Sequence, residues 1–347
     1  MNIETHCFAW ADGAVCKEYA DFFYPISVLD KNSILEQCKK LSIDGITTIA
    51  TDMVVPTVNF VAEEMGLIGN SMVSSLKSTN KLEMRMALQE AGCNVPQFLP
   101  SSASIESLIK LKLPVIVKPT DRSGSRGVTK LESFEELDSA VQRGLEESFS
   151  KSVIVEEFVV GHEISVESIS WNGEHHILAI TDKITSGAPH FVELAHHQPT
   201  VLSKAVQSKI NEQVIKCLDA LDIKFGAGHT ELLITKEDQV FVVEVGARMG
   251  GDFIGSHLVQ LSTGFDFLKA VIEVALGSFK VPERYQSKYS GVYFYSLETA
   301  QLLPYFLSEN EFDVMKEIQS EVLKPVLQSN DRSGYLIYQS NQRVQLL

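Results

Sequence analysis

Two apolar strands interrupted by glutamates constrain the fold of this chain more than any other feature. The runs ELLIT and QVFVVEVG flank a short polar turn at residues 236–238, which predicts an antiparallel pair. Pairing of this kind would place Glu231 and Glu244 side by side at one end of the two strands. Two adjacent carboxylates repel each other unless a cation lies between them. Because oxygen ligands beside phosphates favour magnesium, the segment predicts a metal site better than it predicts a solvated acidic hairpin.

The residues after this strand pair extend the predicted site. Arg248 comes four residues after Glu244, and its side chain could reach phosphate oxygens that the metal also holds. Gly250 and Gly251 would let the backbone approach a substrate closely.

A lysine followed by a glycine loop lies earlier in the chain, at residues 115–130. The order differs from a Walker A loop and from the GxGxxG of a dinucleotide fold, since Lys118 precedes the loop and the loop joins two strands. A flexible hairpin of this type can fold over a triphosphate and offer backbone N–H groups, with Lys118 as a point charge. The loop residues concerned are Ser123, Gly124, Ser125 and Gly127. Taken alone, the segment fits an ordinary surface hairpin better.

A pair of glutamates at the end of another apolar strand forms the third motif. Glu156 and Glu157 end the run SVIVEEF, and Glu163 follows after a short apolar stretch. Backbone groups at such a strand edge can read an adenine, and a carboxylate beyond it can accept hydrogen bonds from ribose hydroxyls. A charged hinge between two strands is an equally good interpretation of this motif alone.

The rest of the chain alternates between strands and helices. Residues 21–65 predict strand, helix, strand, helix, with a strand over 44–52, which is typical of a parallel sheet covered by helices. Thr79 is the expected cap of a helix over 79–92, and Ser133 with Glu136 has the pattern of a capping box. A hairpin is expected at Asn172 and Gly173, and a long loop at 185–199.

Composition and charge exclude several classes of function. The 347 residues carry a formal net charge of −15, so neither nucleic acid nor an anionic membrane is an expected partner. The five cysteines include no CxxC pair, which argues against a structural zinc site or a disulfide framework. No apolar run is long enough to span a membrane and no signal peptide is apparent, so we expect a cytoplasmic protein.

Along the chain, the order is a lysine in the helix before the lid, a lysine with the glycine loop, the two hinge glutamates with a later glutamate, and then the paired glutamates with the arginine. In this order the motifs resemble the ATP-grasp superfamily over roughly residues 76–280. The resemblance implies an α/β and α+β architecture with three parts. Residues 1–75 would form a shortened N-terminal half-Rossmann (pre-ATP-grasp) domain that lacks its first βα unit. Residues 76–280 would form the ATP-grasp domain, with a small α+β lid at about 97–157 and a C-terminal α+β domain. Residues 281–347 would extend the core.

The resemblance also implies roles for individual residues. Glu231 and Glu244 match the magnesium ligands, Arg248 matches the transition-state cation, and Lys183 resembles a lysine close to the phosphates. The residues that match the nucleotide-binding positions are Lys81, Lys118, Ser123, Gly124, Ser125, Gly127, Glu156, Glu157, Phe158, Val159 and Glu163. Residues 123–127 would form a mobile lid over ATP.

One position departs from the pattern of the superfamily. Many members have Glu-x-Asn-x-Arg, in which the Asn serves the second magnesium, whereas EVGAR places Gly246 there. Backbone, water or another residue such as Asp252 would have to complete that shell.

Within the superfamily, the segment GARMGGDFIGSHLV resembles carboxylate–amine ligases of the L-amino-acid ligase kind. That implies ATP with Mg²⁺ or Mn²⁺, an acyl-phosphate intermediate, small-molecule carboxylate and amine substrates, and a homodimer as the candidate assembly. The candidate substrate contacts are Glu193, His196, His197, Gly250, Gly251 and Asp252. The alternatives are an ATP-grasp enzyme with another acceptor, of the carboxylase or nucleotide-biosynthesis type, and a non-catalytic ATP-binding regulator.

Overall fold

The computed structural model describes residues 2–122, 124, 126–187, 190–281 and 287–347, and within these ranges it contains three β-sheets. A two-stranded sheet lies in the N-terminal segment, a four-stranded sheet follows, and an eight-stranded sheet forms the body of the protein. Two cavities described below lie where these parts meet.

The N-terminal segment pairs two short strands in parallel and covers them with helices. Its elements are β1 (His6–Phe8), β2 (Phe22–Tyr24), α1 (Lys31–Leu41) and α2 (Val55–Met65). Asp30 caps α1 by accepting a hydrogen bond from the Ser33 N–H, and Pro56 stands in the first turn of α2 as predicted.

The predicted strand over residues 44–52 is absent, and this prediction was wrong. Gly45 packs so closely on the next helical layer that a Cβ there would lie 2.7 Å from the Ala275 carbonyl oxygen. Farther along, the Ile49 carbonyl accepts a hydrogen bond from the Met249 N–H at 2.9 Å. The β-branched residues therefore lie along the main body of the protein instead of pairing with β2, because contacts with the segments around Met249 and Ala275 replace the bonds of a strand.

Two consecutive helices connect this segment to the four-stranded sheet. They are α3 (Met72–Thr79) and α4 (Lys81–Glu90), and Asn80 stands between them. The Asn80 side chain accepts hydrogen bonds from the N–H groups of Leu82 and Glu83, so Asn80 is the cap and the prediction of Thr79 was wrong by one residue. Lys81 is consequently the first residue of α4.

The four-stranded sheet is antiparallel, with strand order β3-β6-β4-β5. Its strands are β3 (Phe98–Pro100), β4 (Val115–Pro119), β5 (Thr129–Leu131) and β6 (Val153–Glu157), and its helices are α5 (Ile105–Leu108) and α6 (Leu137–Glu147). Ser133 makes no side-chain capping bond, so the predicted capping box is wrong; a turn of 3₁₀-helix at Phe134–Glu136 precedes α6 instead.

The eight-stranded sheet is antiparallel throughout and runs in the order β11-β10-β7-β8-β9-β12-β14-β13. Its strands are β7 (His162–Trp171), β8 (Glu174–Thr185), β9 (Glu193–Gln198), β10 (Gly226–Ile234), β11 (Val240–Gly246), β12 (Tyr289–Tyr295), β13 (Asp313–Ile318) and β14 (Gly334–Ser340). Asn172 and Gly173 have positive φ at the β7–β8 turn, which confirms the predicted hairpin.

Helices cover both faces of this sheet. On one face, α4 and α7 (Lys204–Ala220) pack against β7, β10 and β11. On the other face lie α8 (Val259–Thr263) and α9 (Phe267–Ala275), with a π-helical turn at Ile254–Leu258 before them and α10 (Leu303–Leu307) near the C-terminal strands. In the described ranges, we find no helix that combines the length and the apolar character needed to cross a bilayer.

The region predicted as a long loop at residues 185–199 contains β9, so that prediction was wrong. β9 pairs with β8 on one side and with β12 on the other. The strands after residue 288 therefore continue the same sheet as β7, β10 and β11.

Candidate active site

A cavity of about 580 Å³ lies between the four-stranded sheet and the eight-stranded sheet, and we name it the first cavity. It brings together twelve of the residues that the sequence singled out, namely Lys81, Lys118, Gly124, Glu156, Glu157, Phe158, Val159, Glu163, Lys183, Glu193, Glu231 and Glu244. They come from α4, β4, β6, β7, β8, β9, β10 and β11 and from the loops after β4 and β6, which are far apart in sequence.

Glu231 and Glu244 are directly opposite each other on β10 and β11, as the strand pattern predicted. A bulge follows immediately, since the register shifts between Glu231 and Leu232. Such a bulge bends the strand locally and aims the side chains near it. The two residues lie side by side within the strand pair, and not at its end as predicted, and both line the first cavity.

Lys183 neutralises the acidic side of this cavity. Its Nζ lies 2.5 Å from Glu163 Oε1, 3.0 Å from Glu231 Oε1 and 3.5 Å from Glu193 Oε1. Burial alone would lower the pKa of Lys183, but the three carboxylates raise it well above its usual value. Lys183 in turn lowers the pKa of Glu231 well below its usual range, although burial of Glu231 acts in the opposite direction. Both members of the pair are therefore charged.

Two further lysines, Lys81 and Lys118, line the first cavity. Lys81 Nζ lies 2.8 Å from Glu244 Oε1 and donates to the Arg122 carbonyl at 2.9 Å. Lys118 Nζ lies 2.6 Å from Glu156 Oε2. Burial lowers the pKa of Lys118, Glu156 opposes this, and the nearby positive charges leave the pKa below its usual value.

Glu156 was expected in a hinge that reads adenine, but its side chain forms ion pairs inside the protein. Its carboxylate is buried and contacts Arg85 as well as Lys118, with Arg85 Nε 2.6 Å from Glu156 Oε1. Burial would raise the pKa of Glu156, but Arg85 and Lys118 lower it overall. The hinge N–H groups of Glu157 and Phe158 already donate to the protein, at 2.9 Å each.

The end of the cavity beside the hinge is mostly apolar. Phe158 and Phe191 face each other there with ring centroids 6.0 Å apart, and Ile116, Val128 and Leu233 line the same space. A flat, largely apolar ring could pack against these side chains.

A buried acid–base pair supports the floor beside Glu231. The carboxylate of Glu167 bonds His229 Nδ1 and also accepts the Gly250 N–H at 2.8 Å, while His229 Nε2 lies 3.5 Å from Glu231. A Cβ on Gly250 would lie 2.6 Å from Glu167 Oε1, so this contact explains the glycine without a substrate. Burial would lower the pKa of His229, but Glu167 raises it to about 9.

Arg248 follows β11 and is held by a residue that the sequence did not single out. Its Nε lies 2.9 Å from Asp52 Oδ1, and its Nη2 lies 2.8 Å from Asp52 Oδ2. Burial alone would lower the pKa of Arg248, but Asp52 raises it, with smaller contributions from Glu231 and Glu244.

The glycine loop between β4 and β5 is described in part. Ser123 and Ser125 lie outside the described residues, whereas Gly124 and Gly127 have positive φ of 66° and 71°. A Cβ on Gly127 would come within 2.9 Å of the Pro119 ring, so this glycine is required where the loop passes β4. Gly124 lines the first cavity, and the mobile lid stays a prediction.

The other predicted substrate residues lie at a second cavity of about 500 Å³, which we name the second cavity. Gly250, Gly251 and Asp252 line it together with Arg332. Both oxygens of Asp252 accept hydrogen bonds from the Arg332 guanidinium at 2.7 Å. Asp252 is therefore engaged here, away from Glu231 and Glu244, and this position does not support the idea that it replaces the missing Asn.

The two candidate histidines on β9 differ in their surroundings. His196 is buried with its Nε2 3.7 Å from Asp252, beneath the second cavity. His197 points to the opposite face of the strand, where Nδ1 lies 2.8 Å from the Tyr338 hydroxyl. Burial lowers the pKa of His197 to about 3. We therefore correct the expectation for His197, because it belongs to the aromatic core and not to a substrate surface.

The donor set fits magnesium held jointly by protein and phosphates. Two glutamates meet at one point, and in the described residues no group of three or more His, Cys, Asp or Glu side chains is arranged to hold a metal. Mg²⁺ in nucleotide sites commonly takes one or two carboxylates and completes its shell with phosphate and water. Lys81 and Lys183 balance the two carboxylates here.

Sequence reasoning missed the residues that support the site from behind, chiefly Asp52, Arg85, Glu167 and Arg332. Arg85 and Glu167 left a signal, because each places a charge at an inward position of an otherwise apolar pattern. Asp52 and Arg332 left none, since each lies at a short 3₁₀ turn whose position follows from tertiary contacts.

Comparisons with known proteins agree with this architecture. An ATP-grasp domain profile matches residues 111–256. Alanine–anticapsin ligase of Bacillus subtilis is 27% identical over 275 residues, which cover 68% of this chain and 57% of that protein. The carbamoyl phosphate synthase large chain of Caldanaerobacter subterraneus subsp. tengcongensis is 26% identical over 265 residues, which cover 74% of this chain and 24% of that protein. The chain thus spans less than two thirds of the length of these relatives.

Solved structures show the same fold. The L-amino acid ligase from Bacillus licheniformis has a TM-score of 0.77 at 24% identity, and the match covers 93% of this chain and 83% of that one. N5-carboxyaminoimidazole synthetase from Staphylococcus aureus, complexed with ADP, has a TM-score of 0.77 at 16% identity and matches 97% and 87% of the two chains. The predicted fold is confirmed: residues 111–256 match the ATP-grasp domain profile, and the chain shares the fold of these solved structures, among them an L-amino acid ligase.

Proposed function

We propose that this protein is an ATP-dependent carboxylate–amine ligase that forms an amide or peptide bond and releases ADP and phosphate. The observation that carries the proposal is the facing pair Glu231 and Glu244, each neutralised by a lysine, in the cavity that also holds Lys118. The similarity to alanine–anticapsin ligase favours this acceptor chemistry over a carboxylase. We place the reaction in the cytoplasm, where ATP and amino acids are available together.

In the proposed reaction, a substrate carboxylate oxygen attacks the γ-phosphorus of ATP, and ADP leaves. The resulting acyl phosphate is then attacked at its carbonyl carbon by an amine, and phosphate leaves. Glu231 and Glu244 would hold Mg²⁺, or Mn²⁺ in its place, which supplies positive charge among the phosphates. Lys118, Lys183 and Arg248 would neutralise the charge that moves during transfer. The walls of the first cavity would keep water from the acyl phosphate.

The second cavity is suited to an amino-acid substrate. Arg332 and Asp252 present opposite charges side by side, and Phe253 and Tyr335 form part of the wall. A free amino acid carries a carboxylate and an ammonium group, which would bind Arg332 and Asp252 by replacing the ion pair between them, and an apolar side chain would fit the aromatic wall. Glu193 lies between the two cavities, since it lines the first and approaches the Ser329 hydroxyl of the second at 3.5 Å.

The test is to incubate the protein with ATP, Mg²⁺ and pools of amino acids, and to measure both phosphate release and new amide products. We expect release that depends on pairs of amino acids and an equal amount of amide. Release that depends on bicarbonate would favour the carboxylase type of acceptor. Tight ATP binding without turnover in any pool would favour a non-catalytic regulator and would contradict the ligase.

Glu244→Gln and Arg248→Ala provide the matched site variants. We expect each to lower turnover by about a hundredfold or more, because each removes charge that stabilises phosphoryl transfer. Circular dichroism should remain that of the folded protein. Turnover near the wild-type rate in either variant would show that the site is assigned wrongly.

A further inference from the structure

Asp52 reaches the candidate active site from the N-terminal segment, outside the sheet that carries the other acidic residues. Its two carboxylate oxygens bond the Arg248 guanidinium at 2.9 and 2.8 Å, in the bidentate geometry that fixes a guanidinium most firmly. The Arg248 Nη1 also donates to the Met249 carbonyl at 3.1 Å. Three donors of one guanidinium are thus occupied by fixed acceptors.

The position of Asp52 is fixed by the chain around it. The Met249 N–H donates to the Ile49 carbonyl at 2.9 Å, which ties residues 49–52 to the segment after β11. A 3₁₀ turn at Asp52–Val54 then leads directly into α2. The Asp52 side chain is 16% exposed and that of Arg248 is 13% exposed, so water competes little for the pair.

Gly246 is the residue that admits this carboxylate. A Cβ at position 246 would lie 2.6 Å from Asp52 Oδ1 and 3.1 Å from the Arg248 Cζ and Nε atoms. The φ of Gly246 lies outside the positive range, so the backbone itself does not require glycine there. A side chain at position 246 would therefore need the space that the Asp52 carboxylate fills.

We propose that Asp52 is a positioning residue, which holds the Arg248 guanidinium beside Glu231 and Glu244, and that position 246 is glycine so that Asp52 can enter. The proposal rests on the proposed function for its catalytic consequence. A long arginine side chain loses rotamer freedom when it is fixed, and a fixed cation stabilises developing charge without further reorganisation.

Asp52→Asn and Asp52→Ala test the positioning role, with Asp44→Asn as the control because Asp44 is exposed in the same segment. We expect kcat to fall by about tenfold to a hundredfold in both variants. The KM for ATP should change by less than about threefold, because Asp52 bonds Arg248 and is not proposed to contact ATP itself. Asp52→Glu should recover part of the activity. A kcat for Asp52→Asn within about twofold of the wild type would overturn the proposal.

Gly246→Ala, made alone and together with Asp52→Ala, tests whether the two positions share one space. The added methyl should displace Asp52 and lower kcat by about tenfold or more when Asp52 is present. In the Asp52→Ala protein, the same methyl should lower kcat by less than about threefold further, because no carboxylate remains to be displaced. Equal losses in both backgrounds would contradict the proposal.

A binding measurement keeps this inference separate from the ligase assignment. Calorimetry with Mg²⁺ and a non-hydrolysable ATP analogue is carried out on wild type, Asp52→Asn, Arg248→Met and the double variant. We expect Asp52→Asn to weaken binding of the analogue by about twofold to threefold in the wild type and to have no effect once Arg248 is methionine. Independent, additive effects would refute the proposal. If the wild type binds the analogue but ligates no amino acids, only the proposed function fails.

Discussion

Arg85 has no exposed surface, yet its guanidinium carries a full positive charge. Its Nε lies 2.6 Å from Glu156 Oε1, and Lys118 Nζ lies 2.6 Å from the other oxygen of the same carboxylate. The buried Glu156 carboxylate therefore pairs with two cations, and one of them, Lys118, lines the first cavity. Removal of one member of such a group leaves a buried charge without its partner. A single substitution here should therefore change both the stability of the fold and the charge that lines the first cavity.

Glu156→Gln should lower the free energy of unfolding by about 3–5 kcal/mol, because it leaves two cations without their carboxylate. Urea unfolding followed by circular dichroism measures the change. Glu106→Gln is the control, since Glu106 is exposed and pairs with Lys110 at 3.5 Å across one helical turn. The control should change the free energy by less than about 0.5 kcal/mol. Similar losses in both variants would show that the buried group does not act as a unit.

His197 should make stability depend on pH below neutrality. Burial lowers its pKa to about 3 in the folded protein from 6.5, so the unfolded chain binds a proton first as the pH falls. The stability contributed by the neutral ring is present above pH 6.5 and is lost as the pH falls through that range toward 3. The loss is at most about 1.4 kcal/mol per pH unit.

The measurement is the free energy of unfolding of wild type and His197→Gln between pH 7 and pH 4, compared as a difference so that other groups cancel. We expect the curve of the variant to be flatter. His190→Gln is the control, because His190 is exposed. Parallel curves for wild type and His197→Gln would contradict the prediction.

At the scale of elements, the antiparallel pairing of β9 with β12, which we call the seam, joins the C-terminal strands to the rest of the sheet. Gly291 lies in this seam opposite His197, and a Cβ there would lie 2.5 Å from both the His196 carbonyl oxygen and the Tyr338 ring. β14 beyond the seam follows directly from the loop of Arg332, so the seam also sets one wall of the second cavity.

Gly291→Ala should lower the free energy of unfolding by about 1–3 kcal/mol, because the methyl meets backbone and a buried ring that cannot both move away. Thermal or urea unfolding measures this loss. Gly251→Ala is the matched control, since a Cβ at Gly251 would meet no atom within 4 Å and its φ lies outside the positive range. A Gly291→Ala protein as stable as the control would mean that the seam is looser than the structure indicates.

At the scale of the whole molecule, the site exists only where separate parts meet. The first cavity has one wall from the four-stranded sheet and the other from the eight-stranded sheet, while Asp52 comes from the N-terminal segment. The protein offers two glutamates to a metal, and the remaining ligands would come from phosphates and water.

Metal binding should therefore depend on nucleotide. We expect Mn²⁺, followed by electron paramagnetic resonance, to bind at least about tenfold more tightly when ADP is present than when the protein is alone. Glu231→Gln should abolish most of that gain, because one of the two carboxylates is then neutral. Equally tight binding with and without ADP would contradict a site shared with phosphates.

The parts that sequence predicted well are those governed by local pattern. The alternation in β10 and β11, with its polar turn, located Glu231 and Glu244 opposite each other, and the Asn172–Gly173 dipeptide located a hairpin. The errors arose where tertiary contact overrides propensity. Residues 44–52 are rich in β-branched side chains, but they bond to the segment after β11 instead of forming a strand.

The sequence by itself determined that Glu231 and Glu244 face each other on two paired strands, because period-two patterns and turn residues act within a few positions of the chain. The ATP-grasp fold followed from the resemblance of the motifs in their order along the chain. Only the tertiary structure decided how charges are shared among residues distant in sequence. Glu156 was expected at a hinge, and the structure buries it between Arg85 and Lys118. Gly246 looked like a missing ligand, and the structure places Asp52 in its space. Such pairings depend on distances between elements, which the order of residues along the chain does not fix.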